Sequence, residues 1–342
     1  MLDNKIKKQD NETIRQYEAR LYRNKVAYGL NNKKIWKLMN EIEGKNLGES
    51  TRRCRSFDYN LGRQDTLIEI NKKYDKNVMI INDLHVPYER KDALEIIQKH
   101  SHEIDTLVIA GDLMDCEAIS SFPKVQRMSL VQELVYAYNF LKKVRKILNN
   151  GQKIVLFNGN HEERLYKEIC NMQKKDLQKF LNPNILSMLV DGFTIYEDDK
   201  KVTYEGIADI TYIPHWYVNL DEKLIVCHPK GFSQIDGRLC ESVVAHFLNK
   251  QEKFDVAVFG HTHKQSQMIV SRRQGVFSVE NGCMCNPMKY ADCGKLNYTN
   301  QDYCYTIIRY NNDEKINYNN IKTYYLDELK ENDRKEDYTL IL

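Results

Sequence analysis

From residue 76 onward the sequence predicts an α/β domain, and three observations predict it. Short apolar runs recur, helical stretches separate the first of them, and polar residues follow where the runs end. The runs VMII (78–81), TLVIA (106–110) and KIVLF (153–157) are each long enough for a buried strand. Between the second and third lies SLVQELVYAYNFLKKVRKILNN (129–150), whose apolar spacing is helical, and strand–helix alternation of this kind predicts parallel pairing. Farther on, LIVCH (224–228), DVAVFGH (255–261), QMIVS (267–271), GVFSVENG (275–282) and DYCYTIIRY (302–310) read as a second set of strands with fewer helices, so two sheets are expected. The stretch from Glu163 to Leu189 is helical in pattern and is expected to cover one rim of the site. The charged tail 325–342 is expected to be peripheral.

Residues 1–75 form a separate expectation. Ile14, Tyr17 and Leu21 share one helical face, and Ile35, Leu38, Met39 and Ile42 share another. A third helix is expected after Gly48, capped by Ser50 or Thr51, with Arg52, Arg53 and Arg55 projecting from its first turns. With the short GKNLG connection before it, this is a helix-turn-helix outline, and its arginines are candidates for contact with DNA phosphates. The alternative is a solvated helical hairpin packed on the main domain. The catalytic core is expected to span 76–324.

Composition narrows the function classes. The 342 residues hold 51 basic and 48 acidic side chains, a net charge of +3, so the whole chain is no nucleic-acid-coating polycation. Residues 1–75 hold 17 Lys plus Arg against 11 Asp plus Glu, which places the basic excess in that segment. No run of eighteen apolar residues occurs and the N-terminus lacks an apolar signal core, so a cytoplasmic protein is expected. Nine scattered cysteines without a CxxC pair suit free thiols. Cys283-Met284-Cys285 with Cys293 lacks the fourth ligand and spacing of a structural zinc site.

Polar residues at the strand ends carry the chemistry. They are Asp83-Leu84-His85, Gly111-Asp112-Leu113-Met114-Asp115, Gly159-Asn160-His161-Glu162, His228, and Gly260-His261-Thr262-His263. Five of the nine histidines fall in these turns, more than packing alone explains. Two divalent ions need carboxylate and imidazole ligands and one carboxylate able to bridge them. Oxygen and nitrogen donors suit Mn²⁺, Fe or Zn²⁺ better than copper. In D-x-H or H-x-H on an extended segment both side chains would point the same way, and the glycines before Asp112, Asn160 and His261 would allow a sharp exit from each strand.

In this order, D-x-H, GDxxD, GNHE, a lone His and GHxH resemble the calcineurin-like metallophosphoesterase superfamily over roughly residues 76 to 310. The resemblance implies a four-layer α-β-β-α sandwich of two mixed sheets. It also implies one metal held by Asp83, His85, Asp112 and His263, and another held by Asp112, Asn160, His228 and His261. Asp112 would bridge, and His161 would protonate the leaving oxygen or stabilise its charge. Asp115 would orient His161, or else would cap the helix that follows, and Glu162 would be a structural hydrogen-bonding partner.

Departures from the pattern bear on substrate. Phosphoprotein phosphatases of the superfamily continue GDxxDRG, with an arginine that clamps phosphate, whereas Cys116 and Glu117 follow Asp115 here. About thirty residues after Tyr310 leave little room for the DNA-capping domain of the repair nucleases. GCMCNPMKYADCGKLNYTNQDYCYTIIRY and the basic helices are similar to stand-alone bacteriophage and prophage members of the superfamily, which would place the protein in a bacterial host cell. The expected activity is a phosphodiesterase or nuclease on DNA. The alternatives are an esterase for small phosphorylated molecules and a DNA-binding regulator without turnover. His215 and Trp216 are further candidates for the pocket wall.

Overall fold

The computed structural model describes residues 6–9, 12–53, 74–121, 128–149, 151–172, 176, 181–197, 200–271, 275–287 and 301–327. The chain divides into two compact units, Met1–Lys73 and Tyr74–Leu342. Among the described residues no helix is long and apolar enough to cross a membrane.

In the first unit, α1 (Ile14–Arg23) opens on a capping box between Thr13 and Gln16. Helix α2 (Asn32–Glu43) is capped by the Asn31 side chain and stopped by left-handed Gly44. Tyr17, Leu21, Ile35 and Met39 meet in one apolar cluster. A third helical stretch occupies 49–53. Its cap is not Ser50 or Thr51, because the Arg52 N–H already bonds the Gly48 carbonyl at 3.1 Å.

Arg52 also departs from expectation, since it is fully buried rather than facing outward. Its Nη1 lies 3.1 Å from Glu18 Oε1, its Nη2 lies 3.0 Å from Glu43 Oε2, and its Nε donates to Asn40. Two carboxylates from α1 and α2 turn inward and require a cation there, which removes Arg52 from any phosphate-facing surface. Arg53 is exposed. Arg55 lies outside the described residues.

The second unit begins with β1 (Lys76–Ile81), α3 (Ala93–His100), β2 (Thr106–Ala110), α4 (Leu130–Ile147), β3 (Lys153–Phe157), α5 (Glu163–Asn171) and α6 (Ile185–Asp191). Then follow β4 (Gly192–Glu197), β5 (Lys200–Glu205), β6 (Ile210–Ile213), β7 (Tyr217–Leu220), β8 (Leu224–Cys227), α7 (Arg238–Asn249), β9 (Val256–Phe259), β10 (Gln265–Ser271), β11 (Val276–Asn281), β12 (Cys304–Tyr310) and β13 (Ile321–Tyr325).

One sheet runs β13-β12-β1-β2-β3-β6 and the other β10-β11-β9-β8-β7, while β4 and β5 form a separate hairpin. β1, β2, β3 and β6 are parallel neighbours, as are β8, β9 and β11. By its position in the chain β12 is expected beside the later strands. It instead pairs antiparallel with β1 in the first sheet, and β13 extends that edge.

The continuous apolar runs conceal two-sidedness. Met79 and Ile81 face a core shared with α3, α4 and α6, while Val78 and Ile80 face Val226, Val258 and Val279 of the other sheet. The outer face of the second sheet, with Ile225 and Ala257, packs on Val243 and Phe247 of α7. Helices, sheet, sheet and helix make the four layers, and burial on both faces is why these strands lack polar alternation.

Candidate metal centre

All the motif residues leave the C-terminal ends of parallel strands: Asp83 and His85 after β1, Asp112 and Asp115 after β2, Asn160 and His161 after β3, His228 after β8, and His261 and His263 after β9. They do not converge by pleating of an extended segment, as the D-x-H and H-x-H spacing suggested. Asp83, His85, Asp112, His261 and His263 all have positive φ, from 49° to 92°. Such a backbone costs on the order of 1 kcal/mol or more per non-glycine residue and persists only where the surroundings impose it.

Glycine supplies space as much as turning. A Cβ on Gly159 would stand 2.1 Å from Asp112 Oδ1, and one on Gly111 (φ 80°) would stand 2.5 Å from the His228 ring.

The side chains gather into two adjoining groups. In the first, Nε2 of His263 lies 3.3 Å from Asp83 Oδ1 and 3.1 Å from Nε2 of His85, which is 3.9 Å from Asp112 Oδ2. In the second, Nδ1 of His261 lies 2.6 Å from Asn160 Oδ1. That oxygen is 3.2 Å from His228 Nε2, itself 3.2 Å from Asp112 Oδ2. Asp112 is the carboxylate common to both groups. Cys285 adds a buried thiol beside His85 and His263, a neighbour that its spacing did not announce.

These residues fit divalent cations. Asp83 Oδ1 is buried without a hydrogen-bond donor, and two imidazole nitrogens face each other across 3.1 Å. A divalent cation held among them would satisfy all three atoms at once. Second partners already orient the rings: His85 Nδ1–H donates to Asp115 Oδ1 at 2.9 Å, and His228 Nδ1–H donates to the Ala110 carbonyl at 2.9 Å, leaving each Nε2 directed inward.

Charge is concentrated here. Burial opposes protonation of His85, yet hydrogen bonds to Asp115 and Asp83 raise it to about 10. Burial likewise opposes charge on His228, and the Asp112 and Asp83 carboxylates raise it to about 10. His261 goes the other way, to about 4, through burial and the neighbouring His228 charge. Asp83 is held well below its ordinary range, where the charges of His263 and His228 outweigh its burial.

His161 adjoins both groups. Its backbone N–H donates to Asp112 Oδ1 at 2.9 Å, and its Nε2 lies 3.8 Å from Asp112 Oδ2. Its Nδ1–H donates to the Asp115 carbonyl at 2.7 Å, with Asp115 Oδ1 at 3.3 Å. Asp115 therefore holds two imidazoles, His85 and His161, and makes no side-chain cap to the short helical turn Glu117–Ile119.

Glu162 accepts the backbone N–H groups of Asp112, Met114 and Gly159, binding two of the loops together. Its acidity is weakened to about 7 by burial and by the Asp112 charge.

Sequence reasoning passed over several residues that build this centre. Asn82 donates to Asp83 and to the Gly282 carbonyl and accepts from Asn281, so two buried amides position the first candidate ligand. A polar residue ending an apolar run was the available signal. Arg164 reaches His161 from α5, and Gln301 reaches His263 Nδ1. Trp216 packs on Phe247 and Tyr217 in the cluster under α7, and His215 is exposed.

Residues 76–265 match the calcineurin-like phosphoesterase family, and residues 2–76 match the YonJ N-terminal domain. No curated protein matches the chain. Solved structures similar to it include a metallophosphoesterase from Sphaerobacter thermophilus, 13% identical, covering 74% of this chain and 89% of that one with a TM-score of 0.35. Another is a protein serine/threonine phosphatase from Saccharomyces cerevisiae, 14% identical, covering 88% and 98% with a TM-score of 0.36. A predicted phosphoesterase from Streptococcus pneumoniae is 10% identical, covering 73% and 98% with a TM-score of 0.27. With the family match spanning more than half its length, on a fold whose parallel strand ends carry all five motifs, this chain belongs to the calcineurin-like phosphoesterase family and is a metal-dependent phosphoester hydrolase.

Proposed function

We propose that the protein is a two-metal phosphodiesterase whose substrate is the phosphodiester backbone of DNA. The observation that carries the two-metal reading is the position of Asp112. Its buried Oδ2 lies 3.2 Å from His228 Nε2 and 3.9 Å from His85 Nε2, one imidazole from each group. Asp83, His85, Asp112 and His263 would hold one ion, and Asp112, Asn160, His228 and His261 the other. Two divalent ions, Mn²⁺ with Fe or Zn²⁺ as alternatives on the oxygen and nitrogen donor set, would supply an activated water and neutralise charge on the phosphoryl oxygens.

The chain's own residues do the rest. Asp115 fixes the His161 ring, and His161 Nε2 stands at the edge of the Asp112 carboxylate, where it can meet a leaving oxygen.

Support for DNA comes from the basic excess of residues 1–75 and the exposed Arg53. The burial of Arg52 weakens that support and favours a second reading, an esterase for small phosphorylated molecules.

Mn²⁺-loaded protein offered bis-p-nitrophenyl phosphate, p-nitrophenyl phosphate and linear DNA separates the readings. Cleavage of the diester and of DNA is the expected result. Turnover of small esters alone supports the second reading, and a DNA mobility shift without hydrolysis refutes both. Metal analysis of protein purified without chelator is expected to give two ions per chain.

A further inference from the structure

The chain's own negative charges at the metal centre are the carboxylates of Asp83, Asp112 and Asp115, all close to His85 or His161. Two divalent ions would be largely spent on offsetting these carboxylates, so a cation of the chain itself that reached a non-bridging phosphate oxygen would add to the attraction.

One guanidinium reaches the cluster from another element. Arg164 lies in the first turn of α5, two residues after Glu162, and is half-buried. Its Nη1 donates to the backbone carbonyls of Asp115 at 2.7 Å and Cys116 at 3.4 Å, and its Nη2 donates to His161 Nε2 at 3.0 Å. All three acceptors are uncharged. Among the described residues no carboxylate lies within ion-pair distance of Arg164, and its Nε–H and second Nη2–H have no acceptor.

An arginine placed only to brace a loop next to three aspartates would be expected to pair with one of them. This one is held by two backbone carbonyls and an imidazole nitrogen and keeps two donors unspent. Its contact to His161 puts it one imidazole from Asp112, since His161 Nε2 is 3.8 Å from Asp112 Oδ2.

We propose that Arg164 is the phosphate-binding cation of this site, donating a two-pronged pair of hydrogen bonds to non-bridging oxygens beside His161. The proposal rests on the phosphoesterase reading above and adds to it the residue that recognises the phosphoryl group. A charged oxygen is a strong acceptor for a guanidinium, so a phosphate beside His161 takes the unspent Nε–H and Nη2–H, while Nη1 keeps its hold on the Asp115 and Cys116 carbonyls. Arg164 thus binds substrate directly, from a position that the loop after β2 already fixes.

Binding of inorganic phosphate to the Mn²⁺-loaded full chain, followed by calorimetry, tests this separately from turnover. Arg164→Gln is expected to weaken phosphate binding by about 10- to 100-fold. Arg164→Lys, which keeps the charge but not the fork, is expected to fall between the two. On a hydrolysed ester the same variants are expected to raise KM more than they lower kcat. Phosphate affinity within about twofold of wild type in either folded variant overturns the proposal, as does a metal-loaded wild type that binds no phosphate at millimolar concentration. If wild type binds phosphate through Arg164 yet hydrolyses none of the offered esters, the recognition role stands and the catalytic reading falls.

Discussion

Asp112 and Asp115 do different work at short range, and substitution separates them. Asp112 is the carboxylate shared by both ligand groups, so Asp112→Asn is expected to lose bound metal and ester hydrolysis together, read by metal analysis and bis-p-nitrophenyl phosphate turnover. Two ions retained with unchanged turnover would remove Asp112 from the bridging role. Asp115 instead acts through His85 and His161, and Asp115→Asn is expected to reduce metal affinity or activity by about 10- to 100-fold while the fold persists. In the first unit, Arg52→Met strands Glu18 and Glu43 without their cation, at a cost of about 3–5 kcal/mol. A thermal melt monitored by circular dichroism is expected to show that loss with bis-p-nitrophenyl phosphate turnover unchanged at permissive temperature.

At the scale of elements, the loops after β2 and β3 are interlocked. Gly159→Ala would press a methyl into the Asp112 carboxylate and backbone N–H, at 2.1 and 2.4 Å, so Asp112 must move. The expected outcome is a folded protein with impaired metal binding, checked by metal stoichiometry beside a melting curve. Glu133 of α4 holds the turn beyond Asp115 by accepting the N–H groups of Glu117 and Ala118. Burial raises its carboxyl from 4.5 to about 7 despite those hydrogen bonds. A raised folded value means that Glu133 contributes stability below about 4.5 and loses it as pH rises toward about 7. Glu133→Gln cannot titrate and loses one acceptor, so it is less stable than wild type at acid pH. The gap is expected to narrow by roughly 3 kcal/mol as pH rises through that window, measured by urea unfolding. A gap independent of pH would mean that Glu133 is ionised throughout.

For the whole molecule, the two units invite a direct test of how the proposed activity is divided. Removal of Met1–Lys73 is expected to leave small-diester hydrolysis by the second unit and to lower DNA cleavage, with a shallower salt dependence of DNA binding than the full chain. Equal DNA cleavage with and without that unit would detach it from substrate recognition and strengthen the small-molecule reading. The four-layer core explains why the second unit is the one that carries chemistry. Parallel strands all deliver their C-terminal ends to one edge, and both sheets contribute loops to it.

Chain chemistry alone determined the class of the fold, the principal strands and the motif residues, because buried parallel strands must be apolar and metal ligands must be Asp, Asn or His at strand ends. It also marked the second aspartate of GDxxD and one imidazole beside it, His161, though not the other, His85. What only the tertiary structure decided depends on partners distant in sequence. β12 returns to pair with β1 across more than two hundred residues, and an apolar run carries no mark of its neighbour. Arg52 turned inward because two glutamates from other helices required a cation, whereas its own helix offered an exposed face as readily. The candidate ligands converge through left-handed turns imposed by packing, and Asn82, Cys285 and Arg164 joined them because the folded sheets brought their loops within a few ångströms of Asp83, His263 and His161.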